Sequence, residues 1–198
     1  MILALSLVFL IIMVAIAIDS RGPVFFLQER VGKKGRVFKI IKFRTMVDGA
    51  EKIGTGIRTS STDPRITKVG AVLRKTSLDE LPQLFNVFIG QMSFVGPRPP
   101  VTYHPYNGYD SYPEWAKPRF DVLPGITGYA QEEVRNFVPW DERMKYDVKY
   151  VENLSFWFDI KIMFKTAANI LKLKSVYVDP ASQKTTEEAT QGKEKTNV

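Results

Sequence analysis

The sequence predicts an α+β fold: one compact, mostly helical domain with a small β-hairpin, an apolar N-terminal helix embedded in a membrane, and amphipathic helices at the membrane interface. Three observations predict it. Residues 1–18 carry no charge, and Ser6 is their one polar side chain. Two runs of β-formers flank a basic turn between residues 23 and 46. Beyond residue 65, apolar residues recur at helical spacing in segment after segment. The chain has 198 residues, enough for one domain and short for two. Residues 1–20 are therefore expected to form the membrane helix, 21–178 the folded domain and 179–198 a polar tail.

The apolar start lies at the lower edge of a membrane-spanning helix, which takes about 17–25 residues. A secretory signal peptide needs a basic start and a small-residue cleavage site. This segment begins Met1-Ile2-Leu3 and ends Ile18-Asp19-Ser20-Arg21, which argues against one. A helix that is apolar all round is harder to bury in a soluble protein than in lipid. The charges that follow, Arg21, Arg30, Lys33, Lys34, Arg36 and Lys39, place this flank on the cytoplasmic side by the positive-inside tendency.

Residues 23–28 read as a strand, 29–36 as a turn with Gly32 and Gly35, and 37–46 as the second strand of the hairpin. Residues 47–64 are polar and rich in Gly, Ser and Thr, a loop with a helical turn. A short helix is expected over 65–75, with Ile66, Val69 and Leu73 in register. Another is expected over 79–89, with Leu81, Leu84, Phe85 and Phe88 on one face. Gly96-Pro97-Arg98-Pro99-Pro100 is rigid punctuation, and Pro124-Gly125-Ile126-Thr127-Gly128 is a tight turn whose glycines allow close backbone approach. Further helices are expected over 114–120 and 141–152. Over 154–173, Phe156, Ile160, Phe164, Ala167 and Leu171 form an apolar stripe flanked by Lys161, Lys165 and Lys172. That stripe either packs on the core or lies in a membrane interface with its lysines reaching anionic head groups. Residues 180–198 are polar and poor in aromatics, so disorder is expected there.

Composition narrows the chemistry. Lys and Arg outnumber Asp and Glu by 28 to 21, which favours anionic partners: nucleic acid, acidic lipid or phosphorylated substrates. With no Cys, thiol nucleophiles, disulfides and zinc-thiolate sites are excluded. A single histidine, His104, rules out a histidine-cluster metal site, and it lies in a Tyr- and Pro-rich stretch that reads as loop. Carboxylates, Lys, Arg, hydroxyls and an oxygen-ligated metal remain.

Among the carboxylates, Asp79 and Glu80 stand out as adjacent acids that follow Arg74 and Lys75. On a helix, neighbours diverge by roughly 100°, so the two acids can serve one site in different roles. Ser77-x-x-Glu80 also matches a capping box, but Pro82 would then sit inside the helix and cost a hydrogen bond. With Asp79 as the cap, Pro82 falls where its missing N–H is harmless. Either register explains one acid and not the pair. Arg98, set between prolines, is well placed to aim a guanidinium at a phosphate. Lys42, Arg44 and Arg135 read individually as surface charges.

Taken together, these segments resemble the bacterial sugar transferase family, the monotopic phosphoglycosyl transferases. The resemblance rests on Asp63-Pro64-Arg65-Ile66-Thr67, on residues 73–87 with Leu78-Asp79-Glu80-Leu81-Pro82 at their centre, and on Met92-Ser93-Phe94-Val95-Gly96-Pro97-Arg98-Pro99. Phe38-Lys39-Ile40-Ile41-Lys42-Phe43-Arg44-Thr45-Met46, Pro124-Gly125-Ile126-Thr127-Gly128 and Phe158-Asp159-Ile160-Lys161 match as well, in order from about residue 22 to 173. It implies an enzyme that moves a sugar 1-phosphate from a UDP-sugar to polyprenyl (undecaprenyl) phosphate and releases UMP, the first membrane step of glycoconjugate assembly. Asp79 would be the nucleophile, forming an aspartyl-phosphosugar. Glu80, with Asp79, would bind Mg²⁺, while Arg74, Arg98, Lys42 and Arg135 would meet phosphates and Asp159 would support the site. Membrane lipids are then expected partners and nucleic acid is not; the location is the cytoplasmic face of the bacterial inner membrane. The family's N-terminal helix is a re-entrant hairpin broken by a Ser-Pro pair after a charged start. Neither feature occurs here, since Pro23 is the first proline, so a changed or shortened hairpin is expected, with a single span as the alternative. Two rival functions stand beside the transferase: a membrane-tethered basic module without catalysis, and a nucleotide-sugar hydrolase that uses water as acceptor.

Overall fold

A computed structural model describes residues 2–53, 63–134 and 138–171. It is an α+β molecule: mostly helical, with two small two-stranded sheets. Helix α1 (Ile2–Asp19) leads into strand β1 (Phe25–Val31), which pairs antiparallel with β2 (Val37–Phe43). β1 runs three residues beyond its expected end, and a 3₁₀ turn (Lys33–Gly35) closes the hairpin with Lys34 and Gly35 at positive φ. Along β2, side chains alternate between faces. Phe38 and Ile40 are buried against Met92, and Lys42 follows them on the same inward face. That register, two residues on from Ile40, is why a lysine ends up beneath the site.

α1 packs on the domain by one stripe. Ile12 and Ile16 join Phe43 and Leu73 in a core flanked by Phe9, Met13, Leu78 and Leu81. Its other side leaves Leu7, Leu10, Ile11, Val14 and Ile18 exposed. Eighteen residues make a helix about 27 Å long. Among the described residues, no helix is long and apolar enough to cross a membrane. The C-terminal end of α1 is tied down by charge: Arg44 Nη2 donates to Ser20 O at 2.6 Å and to Ser20 Oγ at 2.9 Å, where a cation complements the helix dipole.

Helix α2 (Lys68–Thr76) starts at a Thr67 cap, whose Oγ1 accepts from Gly70 N. Asp19 Oδ2 accepts from Val69 N at 2.8 Å, fastening α1 to the same end. A Cβ on Gly70 would lie 2.0 Å from Thr45 O, so only glycine lets α2 lie this close. One turn on, Arg74 Nε donates to Thr45 Oγ1 at 2.8 Å.

The helix expected over 79–89 is two pieces, a 3₁₀ turn (Leu78–Glu80) and α3 (Gln83–Phe88), with Pro82 between them. Neither capping register forms. Ser77 instead ends α2 in the left-handed region at φ 58°, its hydroxyl capping nothing. The apolar face expected for α3 is also not its buried face: Phe85 and Phe88 are exposed, Phe88 by 89%. Gln83 and Asn86 face inward instead. Asn86 accepts from Ile41 N at 3.0 Å and donates to Lys39 O at 2.9 Å, as a strand on β2 would.

The 124–128 segment holds a strand. β3 (Ser93–Val95) pairs parallel with β4 (Gly125–Thr127). A Cβ on Gly125 would meet Gly96 N at 2.1 Å, so glycine here serves close approach of two backbones. A 3₁₀ helix (Glu114–Phe120), α4 (Tyr129–Glu133), α5 (Trp140–Glu152) and α6 (Phe156–Leu171) complete the domain. α6 turns Ile162 and Phe158 to the core and leaves Phe156, Trp157 and Phe164 more than 70% exposed. The stripe read from the sequence thus faces outward at Phe156 and Phe164. The tail expected over 180–198 lies outside the described residues.

Candidate active site

The 3₁₀ turn decides where the acids point. With three residues per turn, Leu78 and Leu81 fall on one face, and both pack on the core of α1, β2 and α2. Asp79 and Glu80 are left on the rest of the turn. Ser77's left-handed conformation swings the chain off the end of α2 to set that orientation.

Glu80 Oε1 takes two cations. Lys42 Nζ donates at 2.7 Å, and Arg98 Nη1 and Nη2 both lie at 3.4 Å. The three side chains are 14–33% exposed, so the cluster is sheltered yet open to solvent. Burial alone would raise the Glu80 carboxyl, but Lys42 and Arg98 outweigh it and hold it at about 2. Burial also lowers the Lys42 ammonium, against the pull of Glu80. Asp79 differs. It has no hydrogen-bond or ion-pair partner among the described residues. Burial first, then the Glu80 charge, push its carboxyl up to about 6, against Lys42, Arg74 and Arg98.

The structure therefore brings Asp79, Glu80, Lys42 and Arg98 together, with Arg74 acting on Asp79 through its charge. Asp159 accepts from Tyr150 OH at 2.7 Å, a contact that joins α6 to α5. Arg135 lies outside the described residues.

Residues the sequence reading passed over surround Arg98. Arg30 stands opposite buried Phe38 in the hairpin, and its Nη1 donates to Pro99 O at 2.9 Å. Burial, then repulsion by Arg98, lower the Arg30 guanidinium to about 10, and the same two causes bring Arg143 to about 10. Arg119 pairs with Asp147 at 2.7 Å, the two side chains 1% and 5% exposed. One signal was there to find. Arg143, Met144, Asp147 and Tyr150 fall at helical spacing on the buried face of α5, which marks two charges as inward.

Asp79 and Glu80 offer two carboxylates, and no group of three His, Cys, Asp or Glu converges among the described residues. Two carboxylates suit Mg²⁺, a hard cation that usually binds one or two with substrate phosphates filling its shell.

A carboxylate pair beside Lys42, Arg74 and Arg98 has the charge to meet a phosphorylated, anionic ligand. The chain belongs to the bacterial sugar transferase family, whose model matches residues 1–173. It is similar to a protein of Klebsiella pneumoniae named UDP-glucose:undecaprenyl-phosphate glucose-1-phosphate transferase, 42% identical over 180 residues covering 87% of this chain and 38% of that protein. It is similar also to the uncharacterized sugar transferase EpsL of Bacillus subtilis (strain 168), 41% identical over 167 residues, 84% of this chain and 79% of EpsL. The exopolysaccharide production protein ExoY of Sinorhizobium fredii is 38% identical over 189 residues, 88% of this chain and 82% of ExoY. The chain spans about a third to two fifths of the length of the Klebsiella protein and relatives like it.

Proposed function

We propose that this protein transfers a sugar 1-phosphate from a UDP-sugar to polyprenyl (undecaprenyl) phosphate, releasing UMP and forming a polyprenyl diphosphate-linked sugar. The observation that carries the reading is the contrast within the pair: Glu80 is locked by Lys42 and Arg98, while Asp79 is a sheltered carboxylate without a partner among the described residues. An unpaired carboxylate beside cations is poised to attack a phosphoryl group whose charge those cations neutralise. In the first step an Asp79 carboxylate oxygen bonds to the β-phosphorus and the bond to the bridging oxygen breaks, so UMP leaves. In the second, a phosphate oxygen of the acceptor bonds to that phosphorus and the aspartyl–phosphorus bond breaks, restoring Asp79.

Asp79 and the Glu80 oxygen not taken by Lys42 would hold Mg²⁺, whose chemistry when bound is to neutralise diphosphate charge. Arg98 and Arg74 orient the phosphates, and Lys42 keeps Glu80 ionised. A polyprenyl acceptor requires a membrane, and the exposed faces of α1 and α6 (Leu10, Ile11, Val14; Phe156, Trp157, Phe164) are suited to lie in one. The catalytic domain then sits on the cytoplasmic face of the bacterial inner membrane, where UDP-sugars are found.

The test is UMP release from UDP-glucose and UDP-galactose with Mg²⁺, with and without undecaprenyl phosphate. Release of one UMP per protein without acceptor, repeated turnover only with it, and loss of both in Asp79→Asn support the reading. Repeated release without acceptor makes the protein a hydrolase, and full turnover by Asp79→Asn removes Asp79 as nucleophile.

A further inference from the structure

Residues 97–100 contain three prolines, Pro97, Pro99 and Pro100, so the segment has almost no N–H groups by which to be held. The fold holds it by its carbonyls. Pro97 O accepts from Gly125 N at 3.1 Å and Pro100 O from Val31 N at 3.0 Å. Between them, Pro99 O accepts from Arg30 Nη1 at 2.9 Å, and Arg98 O accepts from Arg119 Nη2 at 2.9 Å. Four consecutive carbonyls each take one donor, and the two middle donors are guanidiniums. The one residue of the segment that bears a charge, Arg98, is the one that faces Glu80.

Arg119 is itself fixed. Its Nε and Nη2 reach Asp147 Oδ2 at 3.0 and 2.7 Å in a pair almost closed to solvent. Such a pair is a poor way to gain stability, because desolvating both ions costs about as much as their attraction returns. An apolar pair of the same size would fill the space, yet it could not donate to Arg98 O. A precise fork can. Holding Arg98 is also not free of opposition, since its charge repels those of Arg30 and Arg143.

We propose that Arg119, anchored by Asp147, is a positioning residue that fixes the backbone of Arg98 so that its guanidinium meets Glu80 and the substrate phosphate. The role of Arg98 at a phosphate rests on the transferase reading; the positioning itself does not.

The experiment is a double-mutant cycle of Arg119→Lys with Arg98→Ala, scored by kcat/KM for the UDP-sugar and by thermal melting. Lysine keeps the charge but cannot span Asp147 and the carbonyl together. Arg119→Lys is expected to lower kcat/KM about tenfold in the wild-type background and less than about twofold when Arg98 is already alanine. Equal losses in both backgrounds would overturn the proposal. A second readout is the heteronuclear NOE of the Arg98 Nε–H, which should drop in Arg119→Lys while neighbouring amides keep theirs; an unchanged NOE also overturns it. Should Arg119→Lys not fold, the isosteric Asp147→Asn takes its place in both arms. Failure of both to fold makes the pair a structural element and ends the proposal. A wild type that releases no UMP sinks the transferase reading instead, and the NOE then decides the positioning alone.

Discussion

Two aspartates, Asp63 and Asp79, each have arginines close by, and their environments drive them in opposite directions. Asp63 is gripped by Arg65 in a fork: Nε to Oδ1 at 2.9 Å, Nη2 to Oδ2 at 2.7 Å, and the Arg65 backbone N–H to Oδ1 at 3.0 Å. Arg65 Nη1 also reaches Ala50 O and Ile53 O, so the pair staples the 47–53 segment onto the start of α2. The Arg65 hydrogen bond, against some burial, holds the Asp63 carboxyl down at about 2. Asp79 has three cations in range and bonds to none, and its carboxyl rises to about 6. Residue type does not separate a structural acid from a reactive one. Whether the fold has already used its lone pairs does.

Substitution breaks that comparison most sharply at the two acids. Asp79→Asn is expected to reduce UMP release at least about a thousandfold, because an amide cannot attack the phosphorus and Glu80 is held by Lys42 and Arg98. Its melting temperature at pH 7.5 should stay level or rise, since it removes a carboxylate that burial disfavours. Asp63→Asn should do the reverse, lowering the melting temperature by breaking the fork with Arg65 while sparing turnover per folded molecule. If Asp63→Asn melts like the wild type but is dead, the division between the two sites is wrong. Arg98→Ala comes next, with a loss of about a hundredfold in kcat/KM and little change in melting.

Much of this contrast was legible in the sequence, and the illegible part has a physical cause. The hairpin, α2, α5 and α6 follow from periodicity. The adjacent acids after two cations are read directly from the residues, though at an expected helix start and not on the 3₁₀ turn that carries them. What periodicity cannot tell is what covers an apolar stripe. Of Leu81, Leu84, Phe85 and Phe88, read as a core face, Leu81 does pack on the core, yet Phe85 and Phe88 are exposed and α3 docks through polar Gln83 and Asn86 because Asn86 bonds the β2 backbone. Phe88 is left outside. Asp79 and Glu80 looked like caps because an acid after Ser and before Pro is what a helix start looks like. A left-handed Ser77 and a 3₁₀ turn are choices of tertiary packing, made by Leu78 and Leu81 finding the core. Arg30, Arg119 and Asp147 act across long stretches of chain, where no local pattern links them.

The smallest expected effect is the most specific to the electrostatics. On the proposed mechanism Asp79 attacks as the ionised carboxylate, so kcat/KM should fall as pH drops through about 6. Of the cations, Lys42 does most to hold that value down, and it also keeps Glu80 ionised. Lys42→Met should move the acid limb to higher pH, even with activity measured relative to its own plateau. Stability carries the opposite signs for the two acids. Asp79, raised when folded, favours the folded state most at low pH, and that contribution is lost between its unfolded value and about 6. Glu80, depressed to about 2, stabilises fully above its unfolded value and loses that stability as pH falls toward 2. Removing Lys42 weakens the second contribution, so Lys42→Met should bring the acid unfolding midpoint to higher pH together with the kinetic limb. A limb that stays near 6 while the unfolding midpoint moves would separate the ionisation that limits turnover from Asp79, and the nucleophile would have to be sought elsewhere on the turn.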